Sequence, residues 1–460
     1  FRQREDEAFP ALYQDGGLRS TKDGGIALLQ GRALGGGTTV HWTTCFRTPH
    51  DVVEHWRRAH AVGAVSVAEL TPHWEWAEAR LGIAPIALEL VNANNRTLMV
   101  GAKKLGMEVE LLRRNVVGCA HTGSCGHGCP IGAKQSMLVS LIPDAIKAGA
   151  AVLTRARADR VLFEQGRAVS IECTLLDAFG LQPTGLRATV KPRAVAVSGG
   201  AINSPALLLR SDAPDASGRL GRRTFLHPVV AVGANFDEEI VGWRGAPQSV
   251  ACHAPARRGE ECGYFFEAAP IHPMLSALSF PGLGGAHAEL LSRIKNASAL
   301  IALQLDGFHD DVQGGRVTVL PSGRPALDYP IAARQWRAFL AAEKDMVRIA
   351  LAAGARQALP LVEGAAPVTS EADLGKLDHL PWQVGSAVVF SAHQMGGCMM
   401  SDDPKQGVVR SADLRHHQLD NLYVVDGSVF PTSLGVNPQL SIYGLARLAA
   451  TRIVESLRRG

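Results

Sequence analysis

Apolar residues recur at helical spacing through residues 50–115, which predicts a mostly helical segment anchored by Trp56, Leu70, Trp74 and Trp76. From Ala150 onward the period changes to two, and residues 151–153, 160–163 and 168–176 read as short strands separated by turns. An apolar run, Ala194-Val195-Ala196-Val197, then meets Ser198-Gly199-Gly200 and a helical stretch through 206–210. Strand, glycine turn and helix entry form the unit with which open α/β sheets meet nucleotides at their strand ends. Residues 230–380 mix strands and helices with scattered aromatics. Near the end, Leu422-Tyr423-Val424-Val425-Asp426 predicts a buried strand closing on a carboxylate. Asn437-Pro438 then opens a helix to about Leu457, with Ile442, Leu445, Ala446, Ala449 and Ile453 on one face. The expected fold class is α/β, with one nucleotide-binding domain assembled from both ends of the chain. The expected division is residues 1–229 and 381–460 for that domain, and 230–380 for an interleaved α+β substrate-binding domain.

Composition narrows the partners. The 460 residues are 46% hydrophobic and 20% charged, with a net charge of only +4 and no concentrated basic run. Nucleic acid is therefore a poor partner. No apolar stretch of spanning length occurs, so the visible chain reads as soluble, with cytoplasmic and periplasmic placement both open. The chain opens on Phe1, and its first seventeen residues are polar and mid-domain in character. A leader or an N-terminal strand–turn–helix could precede them. Of eight cysteines, Cys119, Cys125 and Cys129 are clustered and the rest scattered, which does not suggest a disulfide scaffold.

The run Gly31-Arg32-Ala33-Leu34-Gly35-Gly36-Gly37-Thr38-Thr39 lets backbone approach a ligand closely and aim N–H groups at it. Taken with residues 195–205, the His227-Pro228 pair closing 221–228, residues 393–398, residues 424–431 and residues 435–438, it resembles the glucose–methanol–choline (GMC) family of flavoprotein oxidoreductases. The six pieces stand in family order from Gly31 to the last helix. Two family features are missing: the first strand with its G-x-G-x-x-G turn, and the acidic residue that holds the adenosine ribose. Gly282-Leu283-Gly284-Gly285 does not replace them, because no strand is evident before it. The expectation is a natural protein that begins some tens of residues earlier. His41 also stands where the family usually has Asn.

The resemblance implies FAD and the oxidation of an alcohol by hydride transfer. Such chemistry needs an acceptor for the hydroxyl proton, a donor to the oxygen, and a hydride acceptor that no side chain can supply. His393, in Ser391-Ala392-His393-Gln394-Met395-Gly396-Gly397-Cys398, matches the family's active-site His and is expected to accept the proton. Asn437 matches the second catalytic position and is expected to hold the substrate oxygen. Its plain alternative is a helix cap before Pro438, which would set the positive end of the helix dipole beside the flavin. Asp426 and Gly427 match the strand-end contact to FAD; Gly36, Gly37, Thr38 and His41 match the flavin-side loop; Val161 resembles the position whose backbone meets adenine. Tight turns and a strand terminator are the plain readings of these residues.

Cys119-x5-Cys125-x3-Cys129-Pro130-Ile131-Gly132-Ala133 has spacings that suit a soft metal or an iron–sulfur cluster. It resembles the three-cysteine stretch of GMC dehydrogenases that carry a [3Fe–4S] cluster. Free or partly oxidised thiols are the competing reading, and zinc with His121 or His127 as fourth ligand a third. With a cluster, electrons would pass to a cytochrome or quinone; without one, oxygen or a diffusible carrier would receive them. The apolar stretches 273–283 and 299–305 suggest a fairly apolar alcohol, unless they are simply core. A lyase on the same scaffold and a non-catalytic electron-transfer subunit are the alternatives from other classes.

Overall fold

The computed structural model describes residues 1, 3–280 and 283–459, so Gly282 of the second glycine run lies outside the described residues. The fold is mixed α/β, as expected. Its largest element is an eight-stranded sheet that collects distant segments. Ala27–Leu28 pairs with Phe390–Ser391, followed by Val229–Asn235, Ala297–Gln304, Tyr264–Ala268, Val250–Cys252 and Glu110–Leu111, while Gln357–Pro360 also pairs with Val229–Asn235.

Alternation along these strands decides what each face meets. Val230, Val232, Ala234, Tyr264 and Phe266 join one core with the helices Ala93–Lys104 and Ala333–Ala353. Val229, Ala231, Phe265, Ile301 and Leu303 form a smaller core on the other face. Glu267 has the parity of Phe265, so a carboxyl group sits on that second, apolar face, paired in register with Ile301 and Ala251. The expected apolar stretch 299–305 is thus buried sheet, and its apolarity is explained by packing.

Both supporting helices have clear ends. Asn92 caps the first by accepting from Asn95 N at 2.9 Å. Gln335 reaches back to Ala332 N at 3.0 Å to open the second, which stops at Gly354 in the left-handed region. The two cross so closely that a Cβ on Gly101 would lie 2.0 Å from the Ile349 carbonyl oxygen.

A second core surrounds two strands from opposite ends of the chain. Val195–Val197 pairs in parallel with Leu422–Val424, and the helix Gly200–Arg210 follows the first of them. The helix Val67–Arg80 starts at an N-cap, Ser66 Oγ accepting from Glu69 N at 3.2 Å and donating to the Glu69 carboxylate at 3.0 Å. It packs against the final helix Gln439–Arg459, where Gly444 makes room for the Trp74 ring. Trp56 and Trp74 are fully buried anchors, and Trp56 Nε1 donates to Thr432 Oγ1 at 2.7 Å.

Two expectations are corrected. Trp76 is 38% exposed and lies under the Arg447 guanidinium at 4.6 Å, so it covers the surface and does not anchor the core. Residues 151–153 are not a strand: no neighbour pairs with them, Leu153 is exposed, and the antiparallel meander begins at Ala156. That meander consists of Ala156–Glu164, Arg167–Leu176 and Pro183–Val190.

Candidate active site

Three polar side chains from three distant segments meet at the second, apolar face of the large sheet. Asn437 stands just before the final helix, His393 just after the short strand Phe390–Ser391, and Glu267 within Tyr264–Ala268. Asn437 Nδ2 lies 3.3 Å from Glu267 Oε2 and 3.4 Å from His393 Nε2. Gln248 Nε2 donates to the same carboxyl oxygen at 2.6 Å. Among the described residues, Glu267 Oε1 and Asn437 Oδ1 are buried without a partner. Buried polar atoms are rarely left unpaired, so both point to where a ligand group belongs. Burial pushes the Glu267 carboxyl up to about 8, against the pull of Asn437 and Gln248, and pushes His393 down to about 4. The capping reading of Asn437 is not what the structure shows. Its amide turns to Glu267 and His393 instead of accepting from the first helical N–H groups.

Behind His393 stands His227, whose Nδ1 lies 3.2 Å from His393 Nδ1. His227 is fully buried and has φ 43°, a left-handed backbone that a non-glycine residue holds only under constraint. Asp306 supplies that constraint. Its carboxylate accepts from Leu226 N at 2.9 Å, His227 N at 3.2 Å and Tyr329 Oη at 2.7 Å. Ser391 joins the two histidine segments, donating to the Leu226 carbonyl while accepting from His393 N at 3.2 Å.

The glycine loop is a short 3₁₀ turn, Gly36–Thr39. A Cβ on Gly36 or Gly37 would meet nothing within 4 Å, so this backbone faces open space. Thr38 Oγ1 donates to Gly35 O at 2.6 Å and accepts from Met137 N at 2.9 Å. His41 Nδ1 accepts from Thr43 N at 2.9 Å, and its Nε2 lies 3.4 Å from Tyr443 Oη on the final helix. Burial, with Lys134 and Arg114 nearby, holds His41 well below the usual imidazole range. The strand expected to close on Asp426 ends at Val424, and the Asp426 carboxylate just beyond it is already engaged by Gly200 N at 2.8 Å, Ser204 Oγ at 2.5 Å and Ser428 N at 2.8 Å. It therefore shapes the turn of the strand–helix unit. Gly427 follows in a buried 3₁₀ turn, and Pro438 O accepts from Ile442 N at 2.9 Å in the first turn of the final helix. Val161 is buried in the second core with its N–H donated to Ser211 Oγ at 2.9 Å, and no described contact joins it to the other candidates.

Family models described as GMC oxidoreductase match residues 9–229 and 312–446. The chain belongs to the GMC oxidoreductase family. It is 31% identical over 429 residues to an uncharacterized GMC-type oxidoreductase of Mycobacterium tuberculosis, covering 93% of this chain and 65% of that protein. It is 27% identical over 470 residues to a long-chain-alcohol oxidase of Arabidopsis thaliana, covering 97% and 61%. The chain thus spans less than two thirds of the length of these relatives. Among solved structures, formate oxidase of Aspergillus oryzae RIB40 superposes with TM-score 0.67 at 12% identity, over 99% of this chain and 92% of that one. Pyridoxine 4-oxidase from Mesorbium loti gives 0.62 at 20%, over 93% and 85%. At these identities the structural likeness establishes the GMC fold.

GMC oxidoreductases bind FAD, and the residues present fit its flavin end. The open backbone of Gly36 and Gly37 and the two unpartnered atoms at Glu267 and Asn437 are the observations that support the fit. The three-cysteine segment fits a metal less well. Cys119, Cys125 and Cys129 line one pocket with Arg114, His121 and Lys134, and all three thiols are free. Yet among the described residues no group of three or more Cys, His, Asp or Glu is disposed to hold a metal ion. Each of two sulfurs has its own partner: Arg114 Nη2 lies 3.6 Å from Cys125 Sγ, and Lys134 N lies 3.4 Å from Cys129 Sγ. The fully buried Lys134 ammonium donates to Thr39 O at 2.5 Å, His41 O at 3.2 Å and Cys125 O at 2.5 Å, which ties the cysteine turn to the glycine loop.

Glu267, Asp306, Lys134 and Arg114 were not singled out from sequence. Glu267 did leave a signal: it is the one carboxylate in Tyr264-Phe265-Phe266-Glu267-Ala268, an otherwise apolar strand where a charge is expensive.

Proposed function

We propose that this chain oxidises a fairly apolar primary or secondary alcohol to the carbonyl compound, with FAD as its cofactor. The observation that carries the reading is the contact set of His393, Asn437 and Glu267 on a sheet face otherwise lined by Phe265, Ile301 and Leu303. When bound, FAD supplies the hydride acceptor. Asn437 and His393 hold the alcohol oxygen, and the hydroxyl proton leaves within the same polar cluster. The relative named long-chain-alcohol oxidase supports an alkyl substrate. Residues 36–41 and 426–427 serve the cofactor, as do segments 1–229 and 381–460 generally, while 230–380 serves the substrate. Val161 has the least support among the cofactor contacts.

Oxygen is the electron acceptor in this reading. The oxidase relatives favour it, and a [3Fe–4S] cluster passing electrons to a cytochrome or quinone has only the shared cysteine pocket behind it. The test is anaerobic mixing of the flavin-loaded full-length protein with a series of alkyl and aromatic alcohols. Bleaching of the flavin band is expected, fastest with long chains. His393→Ala should slow it by about 10²–10⁴-fold while keeping FAD bound. A flavin that no alcohol reduces would overturn the proposal.

A further inference from the structure

We propose that His227 is a positioning residue that fixes the tautomer of His393, so that His393 presents an N–H, at Nε2, to the substrate oxygen. The inference deepens the reading of the site given above and rests on it for the identity of that oxygen.

The argument is one of donors and acceptors. A neutral imidazole has one N–H and one lone pair, and what one nitrogen does fixes the other. Gly435 N donates to His227 Nε2 at 3.0 Å, which makes Nε2 the acceptor and leaves the ring proton on Nδ1. That Nδ1–H faces His393 Nδ1 at 3.2 Å. His393 Nδ1 must then accept, and the proton of the neutral His393 ring belongs on Nε2. The reverse assignment would bring two donors together at His227 Nε2. An imidazolium at His227 would do the same, and burial opposes it in any case.

The surrounding structure holds this pair in place. Asp306 fixes the left-handed backbone of His227 through two N–H groups, and Ser391 ties the Leu226 carbonyl to His393 N. Phe265 closes edge-on against the His227 ring at 5.7 Å.

On the other side of His393, Nε2 lies 3.4 Å from Asn437 Nδ2; with Nε2 protonated these are two donors that do not bond each other, and both need an acceptor set between them, the place the alcohol oxygen takes. Two converging N–H donors suit an oxygen on which negative charge develops as hydride leaves the adjacent carbon. This differs from the role that family resemblance implies for His393, which is to accept the hydroxyl proton at Nε2.

The test reads the tautomer directly, by ¹⁵N NMR of the flavin-loaded full-length protein labelled in histidine. The His393 signals are identified by their loss in His393→Asn. The expected result is a proton on Nε2 in the parent and a mixture of tautomers in His227→Phe. A parent with its proton on Nδ1, or an unchanged tautomer in His227→Phe, would overturn the proposal. Kinetics supply the second arm. His227→Phe should lower the limiting rate of flavin reduction about 10–100-fold with little change in alcohol affinity. His227→Asn, which keeps an N–H where Nδ1 stood, should recover most of that loss. Equal rates in all three would also overturn it. If His227→Phe does not fold, the parent spectrum and His227→Asn still decide. If no alcohol reduces the flavin, the functional reading fails while the spectrum still judges the tautomer.

Discussion

Asn437 and Glu267, 170 positions apart, meet through an amide nitrogen and a carboxyl oxygen at 3.3 Å, on a sheet face that is otherwise apolar. The contact joins the start of the final helix to the middle of the eight-stranded sheet. It also gives a buried carboxyl group two donors, Asn437 and Gln248, without any cation among its described hydrogen-bond partners. Burial outweighs the two donors, so the group holds its proton up to about 8.

That raised value makes a prediction with a definite sign. The folded protein keeps a proton on Glu267 from the ordinary carboxyl value near 4.5 up to about 8, while the unfolded chain has released it. Where the native state binds more protons, stability falls as pH rises. Glu267's own contribution to the urea midpoint should therefore fall between pH 5 and pH 8.5, read as the difference between parent and Glu267→Gln, because buried histidines held below their ordinary range, such as His227 and His393, contribute with the opposite sign below about pH 6.5. With His393 occupied as a donor, Glu267 Oε1 is the free acceptor for the hydroxyl proton, so flavin reduction should rise toward pH 8 in the parent. Glu267→Gln should lose that rise and react more slowly, by about 10²-fold or more. Stopped-flow reduction at saturating alcohol from pH 6 to pH 9 checks both; an unchanged profile in the variant removes Glu267 from the chemistry.

Packing makes a prediction independent of the chemistry. Adding a methyl at Gly101 drives it into the Ile349 carbonyl, and neither helix can retreat without opening the core beneath. Gly101→Ala should cost about 1–3 kcal/mol, the usual cost of overpacking. Gly375→Ala, where a Cβ would meet nothing within 4 Å, should stay within about 1 kcal/mol. Thermal unfolding of the two variants beside the parent measures the contrast.

How much of this was legible in the sequence depended on whether the signal was local. Val195–Val197, its glycine turn and the strand Leu422–Val424 with Asp426 just beyond it could be read directly, because a short apolar run followed by glycine or a carboxylate is visible within ten residues. That the two strands pair in parallel with each other was not legible, because nothing within either segment names its neighbour. His393 and Asn437 were legible through motif resemblance, but their meeting with Glu267 was not. A lone Glu in an aromatic strand declares a buried charge without naming its partners. Nor does His227-Pro228 disclose a left-handed backbone, since the constraint comes from Asp306, 79 positions away. Residues 151–153 misled in the opposite direction: apolar side chains alone do not make a strand where no neighbour offers hydrogen bonds.

Lys134 provides a test of how the glycine loop is held. Its ammonium serves three backbone carbonyls, on Thr39, His41 and Cys125, and burial lowers it to about 8. Lys134→Met keeps most of the volume but strips the donor from Thr39 O and His41 O, while Cys125 O keeps Gly128 N at 3.4 Å; a buried carbonyl left unsatisfied costs about 1–3 kcal/mol. Lower thermal stability is expected, with faster loss of FAD on dilution as the 36–41 loop loosens. Fluorescence of released flavin follows the second effect. Equal retention of FAD in parent and variant would mean that the loop is held by its other contacts.

The cysteine segment offers a test of the proposed electron acceptor. Cys125 and Cys129 each have a protein partner, the Cys125 thiol is pushed up by burial, and no described ligand set converges around a metal. Protein prepared without oxygen should therefore contain FAD but neither iron nor labile sulfide, and after denaturation Cys119, Cys125 and Cys129 should all titrate as thiols. Oxidation should then form one carbonyl and one hydrogen peroxide per oxygen consumed, because the alcohol loses two electrons and two protons and oxygen gains them. Cys125→Ser should leave both flavin reduction and peroxide formation near the parent level. The contrary result has an equally clear signature: iron and sulfide in fixed ratio to flavin, both lost in Cys125→Ser, with reduction by alcohol intact but transfer to a cytochrome or quinone abolished. In that case the buried cations Arg114 and Lys134 would be counter-charges for a thiolate-bound cluster, and oxygen would no longer be the principal acceptor.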